Sequence, residues 1–154
     1  MYKTLENSNI LITGGTGSFG NEFVKRLFHD YSPKKVIVYS RDEYKQWQMA
    51  KKFSKHSDRL RFFLGDVRDA SRLHVALSDV DYVIHAAALK QVPACEYNPI
   101  EAVRTNVDGT INVIDAAIDN EVDQVMAIST DKAVHPVNLY GSTKMTAEKR
   151  FVQG

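Results

Sequence analysis

Tyr140 and Lys144 stand four residues apart, so a helix brings them onto one face. A free tyrosine has a pKa of about 10 and is a poor base at neutral pH. A neighbouring ammonium favours the phenolate and lowers that value, which makes the pair a candidate general base. Upstream, Ser129-Thr130-Asp131-Lys132 sets two hydroxyls, a carboxylate and an ammonium side by side. One acid and one base could then serve neighbouring atoms of a bound substrate. The same residues also suit a bland role, as a packed tyrosine beside a solvated lysine and an exposed ion pair or loop cap. What surrounds them decides.

The surroundings include a glycine-rich turn. Gly14, Gly17 and Gly20 in Thr13-Gly14-Gly15-Thr16-Gly17-Ser18-Phe19-Gly20 have the spacing G-x-x-G-x-x-G. The turn lies between a strand-like run and an amphipathic helical pattern, the context in which such a turn binds a dinucleotide. One glycine makes the tight turn, another lets backbone approach a pyrophosphate, and another packs helix against strand. The helix N-terminus offers free N–H groups and a favourable dipole to the phosphates. Thr16, Ser18 and Phe19 are candidate contacts within this loop.

Roughly twenty residues beyond the turn, where ribose selectivity is set, the second strand ends in Ser40-Arg41-Asp42. Asp42 suits the 2′-OH of NAD or the N-cap of the next helix. Arg41 suits the 2′-phosphate of NADP, and its planar fork favours NADP over NAD. Asp66 and Val67 end the third strand, where Asp66 accepts from an adenine amine or else Asp66 or Asp69 caps the following helix. Ala86 and Ala87 follow the fourth strand and would let a cofactor lie on backbone.

The elements that position these groups alternate. Strands are expected at Asn9–Thr13, Lys35–Tyr39, Leu60–Leu64, Tyr82–His85 and Gln124–Ile128. Between them lie a helix carrying Phe19, Phe23, Val24, Leu27 and Phe28 on one face, a polar helix at Asp42–Ser54 and a short one at Ala70–Leu77. A long helix is expected from about Pro99 to Asn120, with Ile100, Val103, Val107, Ile111, Ile114 and Ile118 as its apolar stripe. Asn98 would cap it, with Pro99 at its first position. The last helix is expected at Leu139–Phe151. Alternation of this kind implies an α/β fold, a Rossmann-like doubly wound parallel sheet, in one domain over residues 1–154.

Composition narrows the partners. Lys and Arg total 20 against 19 Asp and Glu, which argues against nucleic acid or an anionic membrane as main partner. A single cysteine, Cys95, rules out a disulfide within the chain and suggests a reducing compartment. It reads as incidental, with no base beside it. No apolar run approaches the ~20 residues that span a bilayer. The polar stretch Met1–Asn9 has no signal-peptide core. The expected location is cytoplasmic, and no metal is called for.

These motifs add up to a specific resemblance. Residues 9–152 resemble the cofactor-binding portion of the extended short-chain dehydrogenase/reductase family. The stretches GGTGSFG, YSRDE, GDVRD, HAAALKQVP, EYNP and STDKA…P-x-N-x-YG-x-x-K are similar to the C5-inverting UDP-N-acetylglucosamine 4,6-dehydratases of pseudaminic-acid and capsule synthesis. STDKA discriminates best, since UDP-galactose 4-epimerases lack the Asp-Lys pair and dTDP-glucose 4,6-dehydratases carry Asp-Glu. The resemblance implies an NADP-dependent lyase acting on a UDP-sugar. Tyr140, with Lys144 and Thr130, would deprotonate the sugar 4-OH, Lys132 would take the C5 proton, and Asp131 would protonate the leaving 6-OH. Asn106 matches the family's helix asparagine near the cofactor, and Lys90 would touch cofactor or substrate phosphate; a helix-surface amide and a solvated lysine are the alternatives. Members of the family are longer, carry a C-terminal substrate domain, and are expected to be homo-oligomers. This chain therefore corresponds to their N-terminal portion, with sheet edges expected to be exposed and catalysis by the chain alone doubtful. An epimerase and a non-catalytic NADP-binding module are the competing readings.

Overall fold

The structure, a computed structural model, describes residues 5–153. The readings made for residues 1–4 and 154 lie outside them. Five strands form one parallel sheet in the order β3-β2-β1-β4-β5. They are β1 (Asn9–Thr13), β2 (Lys35–Ser40), β3 (Leu60–Leu64), β4 (Tyr82–His85) and β5 (Gln124–Ala127). The expected doubly wound α/β sheet is therefore the fold.

The strands are almost continuously apolar because both faces of the sheet are covered. Leu11, Ile37, Tyr39 and Val83 point to one side. There they meet α3 (Ala70–Ala76) through Leu73 and Ala76, and α6 (Gly109–Asp119) through Val113, Ala116 and Ala117. Ile10, Ile12, Val36, Val38 and Ile84 point to the other side. There they meet α1 (Ser18–Asp30) through Val24 and Leu27, and α2 (Glu43–Lys52) through Met49. Asp42 and Asp69 cap α2 and α3, accepting from Lys45 N–H and Arg72 N–H at 2.9 Å each. Phe19, expected on the buried face of α1, is instead part-exposed and stacks on Phe23.

The long helix expected over Pro99–Asn120 forms as one continuous helical run, with a π turn inside it. A short α4 (Val92–Tyr97), unforeseen in the sequence, precedes α5 (Pro99–Val103). A π-helical turn at Arg104–Asp108 then leads into α6. The extra residue in that turn rotates the buried face, so the expected stripe holds only in part. Ile100 and Ile118 are 62% and 58% exposed, and Val103 is exposed as well. Ile114 is buried as expected and Val107 and Ile111 are half-buried, while Ala102, Thr105, Asn106, Thr110 and Val113 take the rest of the buried face. The physical cause is polar. Thr110 Oγ1 donates to the Asn106 carbonyl at 2.7 Å, and the Asn106 amide is held by the Leu89 backbone. Asn98 sits at the expected N-cap position before Pro99, but its side chain donates back to Ala94 instead of capping α5.

The chain runs from β1 outward through β2 to β3, then returns to the other side of β1 to lay down β4 and β5. The direction reverses between β1 and β4, and open parallel sheets bind ligands at the C-terminal ends of strands at such a point. α7 (Leu139–Gln153) packs on α4, α5, the π turn and α6. Met126 on β5 is 60% exposed.

Candidate functional site

A cavity of about 380 Å³ opens at the reversal point. After β1 it is lined by Gly14, Thr16, Gly17, Ser18 and Phe19; after β2 by Ser40, Arg41, Asp42 and Lys45. Asp66 and Val67 line it after β3, Ala86, Ala87 and Lys90 after β4, and Thr105 from the π turn. Twelve residues picked as cofactor contacts thus share one concavity. The other four, Gly20, Asn106, Tyr140 and Lys144, lie outside its lining.

Gly14 has φ +63°, a left-handed conformation that disfavours a side chain. A Cβ there would also sit 2.8 Å from Ala87 Cα and N. Backbone therefore meets backbone where the two central strands end, and the floor stays free of side chains. α1 begins just beyond. Its N-cap, Gly17, supplies no capping side chain, and its first turn carries no acidic residue. First-turn N–H groups with this environment suit an anion.

Charges collect on the β2–β3 side. Arg41 reaches Asp66 at 3.4 Å, and Arg68 binds the same carboxylate at 2.7 Å. Burial alone would raise the Asp66 carboxyl, but hydrogen bonds from Arg68 and the charges of Arg68 and Arg41 hold it below its usual range. Asp66 is thus ion-paired, and the capping of α3 falls to Asp69. Asp42 spends its carboxylate on Lys45, through the backbone N–H and through Nζ at 3.1 Å. Asp42 is thus a helix cap in this structure.

Two wall residues, Tyr39 and Lys45, and Gln46 behind them were not legible as such. The Tyr39 hydroxyl donates to the Asp66 carbonyl at 2.8 Å. Burial, then the charge of Asp69, pushes its pKa up to about 12, so it stays a neutral wall. Gln46 is buried and donates from Nε2 to the Ser40 carbonyl, Ser40 Oγ and the Phe63 carbonyl, fixing the ends of β2 and β3 together. Lys45 joins the lining one helical turn after Arg41. A strand tyrosine and polar residues on a polar helix carry no spacing that marks them.

The reactive candidates gather beyond β5. Tyr140 and Lys144 are both buried on α7. Lys144 Nζ donates to the Ile128 carbonyl at 2.8 Å, and burial lowers its pKa while Glu148 works the other way. Thr130 caps a 3₁₀ turn, Asp131–Ala133. Its hydroxyl donates to Asp131 at 3.0 Å, and Lys132 Nζ lies 3.7 Å from the same carboxylate. That hydrogen bond and the Lys132 charge hold the Asp131 carboxyl below its usual range. Asp131 is 90% exposed and Lys132 half exposed, so in this state they form a surface ion pair.

The turn and the helix are tightly joined. A Cβ on Gly141 would run into the Lys132 carbonyl. Asn106 is buried beside the cavity-lining Thr105 and donates from Nδ2 to Thr143 Oγ1 at 3.0 Å. It is therefore an interior group that ties the cavity to α7. Cys95 is buried, and burial with the charge of Glu96 pushes its thiol up, which keeps it neutral. Among the described residues no helix is long and apolar enough to cross a membrane.

Comparison with known proteins agrees with this geometry. A family model described as polysaccharide biosynthesis protein matches residues 10–154. A UDP-N-acetylglucosamine 4,6-dehydratase (inverting) from Campylobacter jejuni is 58% identical over 144 residues, covering 94% of this chain and 42% of the relative. A UDP-glucose 4-epimerase from Rickettsia rickettsii is 47% identical, over 93% of this chain and 42% of that one. The crystal structure of DesIV, a dTDP-glucose 4,6-dehydratase from Streptomyces venezuelae solved with NAD bound, superposes with a TM-score of 0.83. It is 29% identical, over 92% of this chain and 49% of the other. The chain thus spans less than half the length of these relatives.

Proposed function

The chain belongs to the polysaccharide biosynthesis protein family, and from that premise we propose that it is the NADP-binding domain of a UDP-N-acetylglucosamine 4,6-dehydratase that inverts C5. The observation that carries this reading is the joining of two reactive groups to each other and, through Asn106 and Thr143, to the cavity at the glycine turn. Tyr140 and Lys144 lie on α7, and Asp131 and Lys132 lie on the turn packed against Gly141. The 58% identity to the Campylobacter enzyme supports the substrate class.

The cavity fits a dinucleotide. Its floor at Gly14 and Ala86–Ala87 is bare backbone, and the uncapped start of α1 faces phosphate chemistry. Gly14, Thr16, Gly17, Ser18 and Phe19 would hold the pyrophosphate side, and Asp66 and Val67 the adenine. Ser40, Arg41 and Lys45 would hold a 2′-phosphate. The preference for NADP over NAD is supported by Asp42, whose carboxylate is already spent on Lys45. The NAD in the DesIV structure supports the site and leaves the choice to these residues. When bound, a nicotinamide cofactor accepts and returns a hydride.

The chain's own groups would do the rest. Tyr140 takes the proton of the sugar 4-OH, with Lys144 and Thr130 supporting it. The ketone formed at C4 acidifies the C5 proton, which Lys132 removes once it has passed its own proton to Asp131 and stands as the neutral amine. Asp131 protonates the 6-OH as it leaves as water. In the free chain Asp131 is ionised, so its acid role requires substrate to exclude water and break its bond to Lys132. Lys90, at the cavity mouth, would meet a phosphate of cofactor or UDP-sugar.

The test uses the chain in the longest form in which it is naturally made. It is incubated with UDP-N-acetylglucosamine and NADP⁺ in D₂O, and the sugar is followed by NMR. Loss of the 6-OH with deuterium entering C5 is the expected result. Inversion at C4 without loss of water would replace the reading with an epimerase, as in the Rickettsia relative's name. Cofactor binding with an unchanged sugar would reduce it to a dinucleotide-binding module.

A further inference from the structure

The end of β4 holds a buried group that the reading above leaves unused. His85 is 2% exposed, and each of its ring nitrogens meets a threonine hydroxyl. Nδ1 lies 2.7 Å from Thr13 Oγ1, and Nε2 lies 3.2 Å from Thr110 Oγ1. A hydroxyl has one proton to give and two lone pairs to fill. Thr13 Oγ1 accepts from the Ala87 N–H and shares the Ala86 N–H with the Thr13 carbonyl, each at 3.2 Å. Its acceptor side is engaged by these two N–H groups, and its proton points along the short 2.7 Å contact to His85 Nδ1.

The other side can be counted independently. Thr110 Oγ1 gives its proton to the Asn106 carbonyl at 2.7 Å, so toward His85 it accepts, and Nε2 carries the hydrogen. Both ends require the same neutral Nε2–H tautomer. An imidazolium would leave the Thr13 proton with no acceptor. Burial, then the charge of Lys144, pulls the His85 pKa down to about 3, which agrees.

The line of hydrogen bonds continues past Asn106. Its Oδ1 accepts from Leu89 N–H at 2.8 Å, and its Nδ2 donates to the Leu89 carbonyl and to Thr143 Oγ1. Thr143 Oγ1 donates in turn to the Tyr140 carbonyl at 2.8 Å. One connected set of buried groups therefore runs from the cavity floor at Ala86–Ala87 to the first turn of α7.

We propose that His85 is a positioning residue, a tautomer-fixed link that sets the cavity floor at Ala86–Ala87 against the helix bearing Tyr140 and Lys144. The consequence for cofactor binding rests on the dinucleotide reading above; the tautomer and the two links do not. The floor would support the cofactor, α7 carries the groups that would act beside it, and the link holds one at a fixed setting from the other. Neither threonine can be left facing an apolar group cheaply, because a buried polar atom without a partner costs more than the bond it lost.

Two measurements test this. Long-range ¹H–¹⁵N correlation of the histidine rings in the unliganded chain reads the tautomer directly. His85 is expected as neutral Nε2–H at pH 7; an Nδ1–H ring or an imidazolium overturns the proposal. The second measurement splits the link with two variants. In His85→Asn the Oδ1 atom replaces Nδ1 as acceptor for Thr13 and drops Thr110. In His85→Gln the amide nitrogen replaces Nε2 as donor to Thr110 and drops Thr13.

His85→Gln is expected to shift the Ala86 and Ala87 amide resonances, leave Thr143 in place, and weaken NADP⁺ about tenfold, the scale of one lost buried hydrogen bond. His85→Asn is expected to shift Asn106 and Thr143 while leaving the floor amides unmoved and NADP⁺ affinity within about twofold. Equal disturbance of both segments by both variants reduces His85 to packing and overturns the link. Should wild type bind no NADP⁺, the dinucleotide reading fails while the amide pattern still judges the link. Should neither variant fold, the wild-type ring spectrum decides.

Discussion

A glycine required by a positive φ leaves its mark in a sequence; a buried neutral imidazole does not. Gly14 was therefore legible from its spacing to Gly17 and Gly20. His85 showed only as the last residue of a strand, since its threonine partners lie 72 and 25 residues away. Its burial has a consequence for acid stability. The folded pKa of about 3 lies below the unfolded value of about 6.5. Between those values the unfolded chain binds the extra proton, so stability is complete above pH ~6.5 and declines as pH falls toward 3. The slope is about 1.4 kcal/mol per pH unit, or about 2 kcal/mol by pH 5. Urea unfolding of wild type and His85→Asn at pH 7 and pH 5 checks this. Wild type should lose about 2 kcal/mol more than the variant, and an equal loss in both would refute it.

Among elements, the strands followed from their apolar runs and α1 from its helical period, because packing onto the sheet decides their faces, while α2, α3 and α7 were legible as helices. From Val92 to Asp119 the helix beyond Pro99 was legible, but α4, the π turn and part of the buried face were not. The apolar residues of that helix repeat at helical spacing, yet side-chain hydrogen bonds at Asn106 and Thr110 insert a π turn and shift the buried face. Side-chain-to-backbone bonding of that kind has no period. The contact between α7 and the 3₁₀ turn is another such feature, marked only by Gly141 within the Tyr–Lys motif. Gly141→Ala adds a methyl against the Lys132 carbonyl and 3.0 Å from Pro136 Cβ. Backbone cannot yield as a side chain does. The variant should lose about 1–3 kcal/mol despite alanine's better helix propensity. The midpoint of urea denaturation should fall; an unchanged or raised midpoint would show that the helix and turn separate easily.

For the whole molecule, a doubly wound parallel sheet was implied by alternation and the turn, while the strand order, which reverses direction where the glycines stand, emerges from the structure. The cavity at that point takes walls from the ends of four strands, so a ligand there braces most of the sheet at once. NADP⁺ at about a hundred times its dissociation constant should add about 2.7 kcal/mol. For a chain of this size that raises the melting temperature by roughly 5–10 °C. A thermal scan with NADP⁺ and with NAD⁺ at equal concentration measures it. An equal rise with NAD⁺ would contradict the role given to Arg41 and Lys45.

The central place of β1 also orders the way the chain comes together. Asn9 pairs with Lys35, whereas Thr13 must wait for His85, 72 residues further on. Distant pairings close late because the intervening chain must first give up its freedom. The Gly14–Ala87 floor forms only with that second pairing. In a refolding experiment, the recovery of cofactor binding would therefore trail the recovery of β1–β2 structure, and a chain able to hold its ligand would already have closed its longest central connection.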